Sequence, residues 1–188
     1  NKIPVYGSCF EFPLEPQALQ AKAAELKQQG YVRQKWFLSK QGPSHGPAGL
    51  QADVTSVKLL RQALGDDADI MIDASRTWDL PYAKAWCKQV EQYNLRWLEE
   101  PVPSINLEAI TELSRYTSVP IAIGEHVYSR WDVHKFLAAG ALTVIQTDPE
   151  WAGGISELTR ICTLASIYGR HVIPHGHSML AALHLVAS

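Results

Sequence analysis

Asp69-Ile70-Met71-Ile72-Asp73 is a short apolar run that stops on a carboxylate, and the chain repeats this pattern three more times and a fourth time with a histidine in the carboxylate's place. Trp97-Leu98 stops on Glu99, followed by Glu100-Pro101. Ile121-Ala122-Ile123-Gly124 stops on Glu125, Val144-Ile145-Gln146-Thr147 on Asp148, and Val172-Ile173-Pro174 on His175. The intervals are 99−73 = 26, 125−99 = 26, 148−125 = 23 and 175−148 = 27, each the length of one strand plus one helix. Apolar runs this short read as strands buried on both faces, which is how parallel sheets covered by helices are written.

Working outward, Ile3–Cys9 and Tyr31–Leu38 read as two earlier strands. Pro16–Gln29 carries apolar residues at helical spacing and ends at Gly30. Val54, Val57, Leu60 and Leu64 mark a second helix. Further helices are expected over 82–93, 107–116, 132–139, 155–168 and 179–187. The stretch Gln41–Gly49 between the second strand and its helix reads as an irregular loop, because Gly and Pro dominate it. About seven βα units result. A doubly wound sheet or a TIM-type barrel accommodates them. No G-x-G-x-x-G follows the first strand, as a dinucleotide-binding sheet would require. A TIM-type (β/α) barrel is therefore expected, as one incomplete catalytic domain over residues 1–188.

Composition narrows the partners. The formal net charge of −2 comes with no basic block, which disfavours a nucleic-acid surface. No apolar run reaches the roughly 18 residues of a membrane helix. Cys9, Cys87 and Cys162 are odd in number and far apart, with no C-x-x-C pair. They read as small buried hydrophobes in a cytoplasmic protein. A homo-oligomer acting on a small molecule is expected.

In a barrel the strand C-termini converge on one mouth. Three carboxylates brought there would repel unless a cation joined them, and an all-oxygen set suits a hard dication such as Mg²⁺. Asp148 and His175, on neighbouring strands, form a carboxylate–imidazole pair able to act as a general base. Lys35, on the second strand, is a candidate to bind and polarise a substrate carboxylate. His126 after Glu125, His45 in the Gly/Pro loop and Trp151 after the sixth strand are candidate substrate contacts. Trp78 and Trp131 are candidate walls of the mouth. Glu100 is expected to bond to Lys35 or to a ligand.

Asp73-Ala-Ser, Leu98-Glu-Glu-Pro101, Gly124-Glu-His126, Asp148 with Gly153-Gly154, and Pro174-His175-Gly176 together resemble the enolase superfamily, in its mandelate racemase/muconate lactonizing branch. The resemblance implies an enolase-type barrel, with Asp73, Glu99 and Glu125 as Mg²⁺ ligands and Asp148–His175 as the catalytic dyad. Many members carry K-x-K on the second strand, the second lysine being the base on the opposite face. Here Lys35-Trp36-Phe37 keeps only the first. A lone His base argues against two-base racemisation and fits a hydro-lyase. Glu125-His126, Arg130-Trp131 and Pro174-His175-Gly176 resemble the rhamnonate-type acid-sugar dehydratases of sugar acid catabolism. The reaction implied is removal of the C2 proton beside a carboxylate and loss of the 3-hydroxyl, giving a 2-keto-3-deoxy acid from an aldonate-type sugar acid. An epimerase, a lactonizing enzyme and a non-catalytic barrel fragment are the alternatives. Members also carry an N-terminal capping domain and an eighth strand, and neither is expected within this chain.

Overall fold

The computed structural model describes residues 2–38, 42–176 and 179–187. Gln41 and His177 lie outside the described residues. The strands and helices alternate along the chain, and it divides into two compact units.

The first unit comprises Val5–Pro103 with Tyr116–Val119. Its strands are β1 (Gly7–Cys9), β2 (Arg33–Phe37), β3 (Asp69–Asp73) and β4 (Trp97–Glu99), all parallel and adjacent in chain order. Helices α1 (Pro16–Gln28), α2 (Gly46–Leu64) and α3 (Leu80–Val90) follow the first three. The expected apolar stripe of α2 is its buried face, with Val57, Leu60 and Leu64 almost wholly excluded from solvent. Each of the three helices has a proline in its first turn, where a missing N–H costs nothing. Asp79 caps α3 by accepting the Tyr82 N–H at 2.8 Å.

The expected loop over 41–49 is corrected here. Pro43–His45 is a 3₁₀ turn and α2 already begins at Gly46. Proline and glycine there mark a helix start rather than irregular chain, since Pro47 has the φ that a first turn needs.

Asp53, on α2, is a buried carboxylate at 1% exposure. It accepts hydrogen bonds from the Tyr82 hydroxyl at 2.7 Å and the Gly42 N–H at 3.3 Å. Burial pushes its carboxyl up to about 6, against the lowering effect of those two donors. The folded state therefore holds this proton more tightly than the unfolded chain, whose carboxylates titrate near pH ~4. The stabilising contribution is complete below that range and is lost as pH rises through about 6. In the full-length protein, the urea midpoint of the wild type should fall relative to that of Asp53→Asn between pH 4 and pH 7. Equal pH dependence in the two proteins would count against a protonatable Asp53.

The second unit holds most of the remaining chain. It contains α4 (Leu107–Tyr116) up to Arg115, β5 (Ile121–Ile123), α5 (Arg130–Ala138), β6 (Val144–Ile145), α6 (Ile155–Ile167), β7 (His171–Val172) and α7 (Met179–Ala187). Strands β5, β6 and β7 are again parallel and in chain order. Ser129 caps α5 through the Asp132 N–H. The Glu157 carboxylate, in the first turn of α6, receives the Arg130 N–H and guanidinium, tying the starts of α5 and α6 together. No helix among the described residues is long and apolar enough to cross a membrane.

Candidate active site

Register places the first group of site residues. Phe37 lies abreast of Asp73, and Asp73 abreast of Glu99, at the C-terminal ends of β2, β3 and β4. Lys35 is two residues before Phe37 and so shares its face of the sheet. Its stem spans that distance, bringing Nζ to 3.0 Å from Asp73 Oδ2 and 2.6 Å from Glu99 Oε1. Phe37, standing where the second lysine of K-x-K would be, has its ring centroid 5.1 Å from the Lys35 ammonium, within cation–π range. Asp73 Oδ1 accepts the Ser75 N–H at 2.8 Å, and Glu99 Oε2 accepts the Trp97 indole N–H at 2.9 Å.

All three charged groups are buried, with Lys35 at 2%, Asp73 at 5% and Glu99 at 1% exposure. Two carboxylates thus share one ammonium. Burial pushes the Glu99 carboxyl up to about 7 despite Lys35 beside it, and the nearby Asp73 charge adds to the rise. Burial opposes the Lys35 charge, but Glu99 and Asp73 outweigh it and hold the ammonium above its ordinary range. This excess of buried negative charge, presented by oxygens alone, fits a divalent cation.

Glu100 is paired with Arg76. Its Oε2 lies 3.3 Å from Arg76 Nε, and its carbonyl accepts the Arg76 N–H at 2.6 Å. Ser75, Arg76 and Glu100 all have positive φ, at 49°, 62° and 41°. Such backbone in non-glycine residues persists only where surrounding contacts over-determine it, and it clusters at functional sites. Arg76 was not among the expected site residues, and nothing in the local sequence signals this pairing.

The second group lies in the other unit. His175 Nδ1 is 3.2 Å from Asp148 Oδ2, and Asp148 is fully buried. A carboxylate can only accept, so Nδ1 carries the proton and Nε2 is left as the basic nitrogen. Nε2 lies 3.6 Å from Glu125 Oε2. Asp148 Oδ1 accepts the Trp151 N–H at 2.8 Å. His126 packs edge-on against the Trp151 ring, with centroids 5.4 Å apart, and the Tyr128 ring lies tilted against it at 5.9 Å. Tyr128 was not among the expected contacts. The expected pair Asp148 and His175 is thus brought together, with the proposed metal ligand Glu125 beside it, and His126 lies against Trp151.

Other expectations fare differently. Trp78 is a core residue packed on Trp86 and Tyr82. Trp131 is 71% exposed and lies under the Arg130 guanidinium. His45 is exposed, with Nδ1 3.1 Å from the Ser44 hydroxyl. Cys9 and Cys87 are buried and Cys162 partly so. Burial raises all three thiols above their ordinary range.

Gly124, just before Glu125, lies against the backbone that leaves β6. A Cβ at this position would lie 2.4 Å from the Gln146 carbonyl carbon and 2.5 Å from the Gln146 and Thr147 nitrogens. These are backbone atoms, so no rotamer change relieves the clash. Gly124→Ala should therefore cost at least the ~1–3 kcal/mol of ordinary overpacking. It should also move Glu125 away from His175, and a displacement of about 1 Å typically costs on the order of 10²-fold in activity. Denaturant midpoints and turnover of the full-length variant check both; wild-type values would contradict the close approach.

Parallel strands alternate with helices through both units, and acids stand at the strand ends. Residues 18–188 match the family described as Enolase C-terminal domain-like, and the chain belongs to it. The fold is accordingly a partial TIM-type barrel of the enolase kind, seven of whose βα units are present here. An L-rhamnonate dehydratase from Saccharopolyspora erythraea is 32% identical over 181 residues, covering 94% of this chain and 46% of that protein. An arabinonate dehydratase from Saccharolobus solfataricus is 31% identical over 147 residues, covering 76% of this chain and 39% of that protein. A racemase from Streptomyces coelicolor A3(2), solved with bound magnesium, superposes with a TM-score of 0.84 at 27% identity, over 98% of this chain and 49% of that one. The chain spans less than half the length of the curated relatives it matches.

Proposed function

We propose that the protein to which this chain belongs is a Mg²⁺-dependent acid-sugar dehydratase. The observation that carries this reading is the Asp148–His175 pair, with a buried carboxylate fixing one ring nitrogen and the other left basic beside Glu125. The dehydratase relatives support the hydro-lyase class. Phe37 supports it over two-base racemisation, because it removes the second lysine and shields the first.

Asp73 and Glu99, from the ends of β3 and β4, and Glu125, from the end of β5, are the proposed metal ligands. When bound there, Mg²⁺ would supply the electrophilic charge that acidifies the carbon beside the substrate carboxylate. His175 removes the C2 proton through Nε2, and Asp148 stabilises the imidazolium that results. Lys35 contributes positive charge where the substrate carboxylate becomes an ene-diolate. His175 then returns its proton to the departing 3-hydroxyl, and the enol product tautomerises to a 2-keto-3-deoxy acid. His126, His45 and Trp151 are the proposed contacts to the polyol chain.

The test is a panel of aldonates offered to the full-length protein with Mg²⁺, read as 2-keto acid formation. Formation of the 2-keto acid supports dehydration. Interconversion of C2 epimers without 2-keto acid would instead identify an epimerase.

A further inference from the structure

We infer that Asp53 is a positioning residue that holds the segment Gly42–His45 in place, so that His45 can meet the substrate. The inference rests on the dehydratase reading for its kinetic part and on geometry alone for its structural part.

Asp53 belongs to no strand end and to no proposed catalytic group, yet it is a carboxylate buried to 1% exposure. Its Oδ2 collects two donors from different elements. One is the Tyr82 hydroxyl of α3 at 2.7 Å, the other the Gly42 N–H at 3.3 Å, in the connection leaving β2. Gly42 has φ +68°, a conformation that suits glycine, and this turns its N–H toward Asp53. The opposite side of Gly42 faces Trp78, whose ring atoms would lie 3.4–3.6 Å from a Cβ there. Trp78 is five residues beyond Asp73, and its N–H donates to the Pro101 carbonyl, two residues beyond Glu99. Gly42 is therefore packed on the segment that leaves the C-terminal end of β3, which is itself hydrogen-bonded to the one that leaves β4. Segments at that end of a barrel's strands build its active site.

From Gly42 the chain makes one 3₁₀ turn, closed by the His45 N–H donating to the Gly42 carbonyl at 3.2 Å. His45 emerges exposed at the end of that turn. A single buried carboxylate thus fixes the start of the turn that presents His45. Burying an acid is costly, and an apolar side chain would fill the same volume more cheaply. What the carboxylate adds is an oxygen that accepts from two elements at once.

In the full-length protein, Asp53→Ala should raise KM by about 10-fold, the scale of one lost positioning contact, with kcat within about 2-fold. Asp53→Asn keeps an accepting oxygen and should restore most of the loss, and Tyr82→Phe should give an intermediate rise. In a His45→Ala background, Asp53→Ala should add nothing further to KM, because the two act through one contact. Additive effects, or an Asp53→Asn defect equal to that of Asp53→Ala, would overturn the positioning role. If His45→Ala alone leaves KM unchanged while His175→Asn removes activity, this inference fails and the dehydratase reading stands. A readout independent of substrate is amide hydrogen exchange. Residues 42–45 should exchange faster in Asp53→Ala while α1 is unchanged, and wild-type exchange there would refute the tether even if no sugar acid were turned over.

Discussion

His175→Asn in the full-length protein is expected to slow exchange of the substrate C2 proton with D₂O by about 10²- to 10⁴-fold, the range a positioned general base contributes. Asparagine occupies much of the imidazole's volume, and its amide N–H can still donate to Asp148. It has no basic atom to stand in for Nε2. Asp148 itself cannot substitute, because its Oδ1 is engaged by the Trp151 N–H and its Oδ2 faces the residue at 175. Glu125, 3.6 Å from Nε2, is reserved in the proposed mechanism for the metal. Mg²⁺ affinity measured by calorimetry should stay near the wild-type value, since His175 is not a proposed ligand. Proton exchange is the sharper readout, because it reports abstraction whether or not the 3-hydroxyl leaves. Exchange at the wild-type rate would remove His175 from the role of base and leave the Asp148 pairing a structural one.

Lys35→Met is expected to lower stability by about 3–5 kcal/mol, the cost of breaking a buried ion pair from one side. Methionine keeps most of the apolar stem, so the loss isolates the charge. Asp73 and Glu99 would then face each other, buried, without the ammonium now 3.0 Å and 2.6 Å away. Two additions make the measurement decisive. Glu99→Gln in the same chain should restore part of the stability by removing one of the unpaired charges. Saturating Mg²⁺ should restore part of it in Lys35→Met alone, because a ligand present at 100 times its Kd contributes about 2.7 kcal/mol to the folded state. A urea midpoint equal to the wild type would mean that Lys35 does not compensate these carboxylates. A full loss without rescue by Mg²⁺ would argue that Asp73 and Glu99 do not hold the metal.

The strand-end acids could be found from sequence because the local pattern is complete in itself. An apolar run buried on both faces must stop where the chain leaves the sheet, and Asp73, Glu99, Glu125 and Asp148 stand at or just past those stops. His175 follows the same rule. The segment over 41–49 departs from the expected loop for an equally local reason. Glycine and proline mark both loops and helix starts, and only the neighbouring turns decide which. Pro47 sits in the first turn of α2, and Gly42 is held by a carboxylate eleven residues on.

The sequence by itself determined the βα order and the residues at the strand ends, since each depends on residue type and on spacing within one unit. The tertiary structure decided which groups pair. Lys35 reaches Asp73 and Glu99 because β2, β3 and β4 are in a register that no single strand contains. Glu100 turns to Arg76 through left-handed backbone at three non-glycine residues, a conformation their identities do not announce. Gly124 is required because the backbone of Gln146 and Thr147 passes where its side chain would be. Distances between segments far apart in the chain settle these pairings, and such distances exist only once the strands have packed.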